Sequence, residues 1–205
     1  MQFQAYMIIK ILTLFPDMFD GFLSNSIIRR AIAKEVVEIK VINIRDYTTD
    51  KYGRVDNYPV GGGAGLVMKC QPIVDCLNAN KGEESHVIML SPRGKTYNQK
   101  RAHELLKEKE IILLCGHYEG IDERVNKYVD EQISIGDYIL TGGEIGSMAI
   151  ADSIIRLLDG AIAEESTLEE SFENGLLEYP QYTEPYEFNG DTIPDILYSG
   201  NHKEI

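Results

Sequence analysis

Between Leu114 and Glu144 two short apolar runs each break into a loop of glycine, tyrosine and acidic residues. Ile111 to Cys115 leads into Gly116-His117-Tyr118-Glu119-Gly120. Ile133 to Ile135 leads through Gly136-Asp137-Tyr138 to Thr141-Gly142-Gly143-Glu144. The chemistry such loops suit is ligand capture, because glycine lets backbone N–H and C=O groups approach a bound molecule closely. Paired loops at the ends of adjacent buried strands are where α/β sheets take small molecules.

Other candidate patterns carry less. The run Gly61-Gly62-Gly63-Ala64-Gly65 fails the dinucleotide fingerprint, since its last place is Leu66, and no GK[ST] follows it. Alone it reads as a flexible turn. Ser199-Gly200-Asn201-His202 is a contiguous match to residues that a hydrolase superfamily draws from separate blocks, and no G-x-S-x-G is present. His86, His103, His117 and His202 lack metal-ligand spacing, so no metal site is expected. Glu119, Asp122, Glu123 and Arg124 read equally as ligand contacts and as the solvated start of a helix. Asp152 and Arg156 read as an ordinary i,i+4 ion pair.

The elements that must hold these loops follow from periodicity. Ile8–Phe15, Val37–Ile44, Val87–Leu90 (closed by Ser91-Pro92) and Ile111–Cys115 read as strands. Ser26–Lys34, Lys69–Asn78, Asn98–Lys107 and Gly143–Leu158 read as helices, with Asp17 or Ser24 as a cap for the first. The apolar set of the last helix includes Ile145, Met148, Ala149, Ile155 and Leu158. Arg45–Gly65 should be a long functional loop. Alternation of strands and helices implies an α/β fold with a largely parallel sheet. Glu164–Glu173 is expected to be partly disordered without a ligand.

Composition sets the class. A 205-residue chain with 43% apolar residues suits one domain, or one domain with an appendage. The first fifteen residues lack a basic start and a cleavage site, and no apolar run reaches membrane-spanning length. Three cysteines without CxxC spacing fit a reduced, cytoplasmic protein. The net charge of −13 argues against nucleic acid at first sight. However, eleven acids and one lysine from Glu164 onward carry −10 of it, leaving −3 for the first 163 residues.

The two glycine loops, LLCGHYEGIDERV and ISIGDYILTGGE, resemble signature segments of the bacterial tRNA (guanine-N1) methyltransferases, the TrmD family. Further blocks follow in family order. They are Ile11-Leu12-Thr13-Leu14-Phe15-Pro16-Asp17-Met18-Phe19, Asn43-Ile44-Arg45-Asp46-Tyr47, Pro59 to Met68, Leu90 to Gly94, and Gly175 to Thr183. The resemblance implies SPOUT architecture, in which the carboxy-terminal part of an α/β domain is threaded into a trefoil knot, an exception to the usual rule. It implies a homodimer, S-adenosyl-L-methionine (AdoMet) as methyl donor, and tRNA as substrate, methylated at N1 of the guanine 3′ of the anticodon. Mg2+ stays an open candidate with no ligand set legible in the sequence.

By the same resemblance, Gly116, Tyr118, Glu119 and Gly120 contact the cofactor. Leu90, Ser91 and Pro92 form one wall of its pocket, and Ile135, Gly136, Asp137, Tyr138, Ile139, Leu140, Gly142 and Gly143 another. Adenine needs an apolar slot with backbone donors and acceptors, and Gly142→Val is expected to fill space the cofactor needs. Arg156 takes the place of a catalytic arginine that stabilises charge developing on guanine O6. Glu170 stands where the family usually has an aspartate, the proposed base for the N1 proton. Glutamate preserves the acid and moves the carboxylate by about one C–C bond, a shift that costs roughly 100-fold in rate if the backbone does not compensate. Glu184 replaces a usual arginine and removes a phosphate contact.

The expected organisation is therefore 1–6 as leader or appended residues, 7–163 as the methyltransferase domain, and 164–205 as an acidic interdomain linker or tail. A basic helical domain is expected after it, and its lack to weaken tRNA binding. Two alternatives stay open: a SPOUT methyltransferase with another RNA substrate, and a non-catalytic dimeric AdoMet-binding module.

Overall fold

Five apolar runs form one parallel sheet because helices cover both of its faces. In the computed structural model, which describes residues 6–163, 171–172, 177 and 179–201, these strands are β1 (Met7–Thr13), β2 (Val37–Asn43), β5 (Ser85–Thr96), β6 (Glu110–Leu114) and β7 (Glu131–Ser134). Their order across the sheet is β2-β1-β6-β5-β7, and every pairing is parallel. Two further short strands pair antiparallel: β3 (Asp56–Asn57), inside the stretch read as a long loop, and β4 (Val67–Met68), just after it.

Alternation along β6 splits the core. Ile111 and Leu113 join Ile9 and Ile11 on one face, under α2 (Ser26–Ala33) and α5 (Glu144–Ile155). Ile112 and Leu114 join Leu12 and Val87 on the other, under Ile73, Cys76 and Leu77 of α3 (Cys70–Asn80). All four β6 residues are fully buried, so each strand side chain removes apolar area from water on one face or the other. The short α1 (Asp20–Ser24) and α4 (Gln99–Leu105) complete the described helices of this part. Among the described residues no helix is long and apolar enough to cross a membrane.

Three expectations are corrected. First, the third sheet strand does not close at Ser91-Pro92. β5 runs on to Thr96, and Leu90 and Lys95 both register with Ile133, so residues 91–94 bulge out of the ladder. Pro92 is tolerated there because a bulged residue owes no ladder hydrogen bond. Second, neither Asp17 nor Ser24 caps a helix by its side chain; Asn98 caps α4 instead, accepting from the Arg101 N–H. Third, Ile145 and Ala149 lie on the exposed side of α5, whose buried side is Gly146, Ser147, Ile150, Ala151, Ile154 and Ile155. That helix is apolar nearly all round, so periodicity alone does not pick its buried face.

The chain divides into two compact units, Met1–Leu168 and Glu169–Ile205. In the second, β8 (Glu187–Phe188) and β9 (Asp191–Thr192) form a hairpin whose turn, Asn189-Gly190, has the positive φ angles of 53° and 93° that such turns require. The hydroxyls of Tyr186 and Tyr198 donate to Asp195 and Glu184. The expected disorder of Glu164–Glu173 falls almost wholly outside the described residues.

Candidate functional site

The loops after β6 and β7 meet the β5 bulge at the carboxyl ends of the strands and enclose a cleft of about 320 Å³. Leu90, Ser91 and Pro92 line one side, and Gly116, Tyr118, Glu119 and Gly120 another. Ile135, Gly136, Tyr138, Ile139, Leu140, Gly142 and Gly143 close it. Of the anticipated cofactor residues only Asp137 is not in the lining. The Tyr138 N–H donates to the Gly136 carbonyl at 3.0 Å, a turn so tight that Asp137 is left exposed at its tip.

The two loops are joined by backbone. His117 and Gly142 form an antiparallel bridge, and the Gly143 N–H donates to the Gly116 carbonyl at 2.8 Å. A Cβ on Gly143 would lie 2.8 Å from Cys115 Cα, so only glycine permits this approach. A strap from β4 holds the outer side. Glu119 N–H donates to the Leu66 carbonyl, Met68 N–H to the Gly120 carbonyl, and Asp122 N–H to the Met68 carbonyl. The last glycine of the 61–65 run, Gly65, is thereby pressed against the Glu119 side chain. Tyr118 is held at φ +60°, a strained conformation for a non-glycine residue of the kind that collects at binding sites.

The acidic group after Gly120 divides between two tasks. Asp122 caps a 3-10 helix, Glu123–Tyr128, by accepting from the Arg124 N–H. The Arg124 guanidinium holds the Asp122 carboxyl below its ordinary value through a 2.7 Å contact. Glu119 and Glu123 line the cleft, and Glu123 accepts from Arg93 of the bulge and from Asn126.

Beneath the cleft lies a buried polar cluster that the sequence pattern does not announce. Glu144, at the start of α5, is 2% exposed, and its Oε1 accepts from the fully buried Thr13 hydroxyl at 2.8 Å. Thr13 Oγ1 also accepts from the Phe15 N–H. The other carboxylate oxygen, Oε2, lies 4.0 Å from Nδ1 of His117. The His117 ring packs 4.7 Å from Phe15 and 5.1 Å from Tyr118. Burial pushes the Cys115 thiol far above its ordinary range, which leaves it inert. The space beside Gly142 belongs to this cluster: a Cβ there would fall 2.3 Å from Glu144 Oε2 and 2.6 Å from His117 Nδ1. The first atoms met by Gly142→Val are therefore protein atoms. The only signal in the sequence was a glutamate directly after Gly142-Gly143, which reads equally as a helix-start acid.

Arg156 follows the carboxyl end of α5, its N–H on the Asp152 carbonyl at 3.1 Å. That is about 20 Å along the helix axis from Gly143, and it is not among the residues that line the cleft. Glu170 lies outside the described residues. Among the described residues no group of acids, histidines and cysteines could hold a metal ion.

The cleft suits an adenosine-bearing ligand. Leu90, Ile133, Ile135 and Leu140 offer an apolar slot. The backbone groups of Ile139 and Leu140 have no partner among the described hydrogen bonds, so their N–H groups are available to ring nitrogens and their carbonyls to an exocyclic amine. At Gly120 a Cβ would meet nothing within 4 Å, so the space beside its Cα is open, while its N–H and C=O are held by the His117 carbonyl and the Met68 N–H.

Comparison with known proteins gives three findings. The profile of the family described as tRNA (guanine-1)-methyltransferase TrmD matches residues 7–205. A tRNA (guanine-N(1)-)-methyltransferase of Clostridium botulinum strain Hall is 57% identical over 199 residues, 96% of this chain and 82% of the relative. One from Malacoplasma penetrans is 53% identical over 197 residues, 96% and 87% of the two chains. The crystal structure of tRNA (m1G37) methyltransferase from Aquifex aeolicus superposes with a TM-score of 0.82 at 38% identity, over 96% of this chain and 84% of that one.

Proposed function

The chain belongs to the tRNA (guanine-1)-methyltransferase family, and from that premise we propose that it methylates N1 of the guanine 3′ of the anticodon in tRNA, with AdoMet as donor. The carrying observation is the single cleft where the β5 bulge and the two glycine loops meet, lined by all but one of the residues that the family resemblance assigns to the cofactor.

AdoMet, when bound, supplies a methyl group on a sulfonium sulfur. The residues of this chain do the rest. The apolar slot of Leu90, Ile133, Ile135 and Leu140 excludes water and positions an adenine ring. Glu170 takes the N1 proton, which frees the nitrogen lone pair for in-line attack. Arg156 places a guanidinium where negative charge gathers on guanine O6. With Arg156 about 20 Å from Gly143 along α5, this reading has both groups act on the cleft of a second copy of the chain. The exposed apolar residues Ile139, on the cleft rim, and Ile145, on α5, support such a homodimer. The same reading includes the trefoil knot, the division into a methyltransferase domain and an acidic tail, and a cytoplasmic setting for three unpaired cysteines. A role for Mg2+ has no support among the described residues.

Incubation of unmodified tRNA with AdoMet and the protein, followed by mass spectrometry of the nucleosides, tests the reaction. The expected product is 1-methylguanosine, lost when the guanine after the anticodon is replaced. Methylation of the replaced tRNA would favour another RNA target, and absence of any methylated nucleoside would favour a binding module.

A further inference from the structure

Glu144 is a carboxylate almost sealed from water, and no lysine or arginine pairs with it among the described contacts. A buried charge needs donors. The Thr13 hydroxyl donates to Oε1, the amino end of the twelve-residue α5 sets positive partial charge beside the carboxylate, and His117 lies on the side of Oε2. His117 Nδ1 is itself buried with no hydrogen-bond partner, at 4.0 Å from that oxygen. That is about 1 Å longer than a hydrogen bond, so a shift of about 1 Å in the imidazole brings the two groups into bonding distance. The other ring nitrogen, Nε2, belongs to a residue that lines the cleft. Gly142 leaves room for this pair and for nothing larger.

We propose that Glu144, anchored by Thr13, holds His117 as the Nδ1–H tautomer, so that Nε2 presents an acceptor lone pair to the cleft for the α-ammonium of the bound donor molecule. A buried carboxylate fixes the tautomer of a neighbouring imidazole because only a protonated Nδ1 can donate to it. An ammonium carries three donors and no acceptor, so it complements a bare Nε2. His117 is then a binding residue for the amino-acid end of the ligand, and Glu144 and Thr13 are positioning residues that act through it. The inference rests on the AdoMet reading above.

Glu144→Gln separates tautomer control from packing. Glutamine keeps the shape and the oxygen that accepts from Thr13, but turns an NH2 toward His117 Nδ1. The imidazole must then protonate Nε2, which points a donor at the ammonium. The probes are S-adenosylhomocysteine, which has the amino-acid end, and 5′-methylthioadenosine, which lacks it. Calorimetry should show that Glu144→Gln and His117→Ala each weaken S-adenosylhomocysteine at least tenfold while 5′-methylthioadenosine binds as before. Imidazole 15N shifts should report Nδ1–H in the wild type and Nε2–H in Glu144→Gln. Equal weakening of both nucleosides, or of neither, overturns the inference, as does an Nε2–H or doubly protonated ring in the wild type at neutral pH. A wild-type protein that binds 5′-methylthioadenosine but gains nothing from the amino-acid end also overturns it. Failure of the wild type to bind either nucleoside overturns the AdoMet reading, and this one with it.

Discussion

Glycines of the β5 bulge and of the cleft lining differ in what surrounds them, and the difference separates folding from binding. At Gly94 a Cβ would lie 2.5 Å from the Gln132 carbonyl carbon and the Ile133 nitrogen, which are backbone atoms of β7 and cannot move aside cheaply. Gly94→Ala should therefore cost about 1–3 kcal/mol, the range for overpacking, read as a lower urea midpoint at unchanged slope. At Gly116 the nearest atom to a Cβ is the end of the Ile121 side chain at 3.4 Å, an ordinary contact. Gly116→Ala should leave the urea midpoint within about 1 kcal/mol of wild type yet weaken S-adenosylhomocysteine, because the added methyl stands in the cleft lining. Equal loss of stability in the two variants would show that glycine at both places serves only the fold.

The elements are tied by one partly buried ion pair that a pH titration can isolate. Lys10 of β1 bonds Glu110 of β6 at 2.8 Å and the Asn80 carbonyl at the end of α3. Burial disfavours the charged Glu110 carboxylate, but Lys10 and the Ser85 hydroxyl outweigh it and hold its pKa below 4.5. A carboxyl with a depressed folded pKa contributes stability above its unfolded value, and that contribution fades as pH falls through the folded one. Lys10→Met should thus destabilise by about 1–3 kcal/mol at neutral pH, with the deficit shrinking below pH 4.5, where Glu110 protonates. A deficit that stays constant from pH 7 to pH 3 would mean that lost packing, not the charge pair, accounts for it.

At the scale of the whole molecule the proposed sharing of a site between two copies of the chain can be tested by mixing variants. Glu170→Gln should lose the base, and Gly142→Val should lose the cofactor cleft through its collision with Glu144 and His117. If Glu170 serves the cleft of the other copy, mixed dimers of these two inactive chains each regain one working site. Random mixing then recovers about a quarter of wild-type activity. Sedimentation should show a dimer of the 23.1 kDa chain, and the mixture should stay inactive if each chain uses its own Glu170.

The residues by themselves determined the parallel α/β class and the two glycine loops, because strand runs and turn glycines are local signals; the family, and the residues expected around the cleft, came from the resemblance that ordered blocks of the sequence carry. Tertiary structure decided what depends on contacts distant in sequence. The buried face of α5 follows from which side meets the sheet, since Ile145 and Ile150 are equally apolar yet only Ile150 is buried. The β5 bulge follows from β7, which restores pairing at Lys95 after β6 has ended. Glu144 is a helix-start acid in the sequence, and becomes the centre of a buried cluster only because Thr13 is brought from 131 residues away to donate to it. Burial and partner, rather than residue type, set what a carboxylate does, and neither is a property of neighbouring residues in the chain.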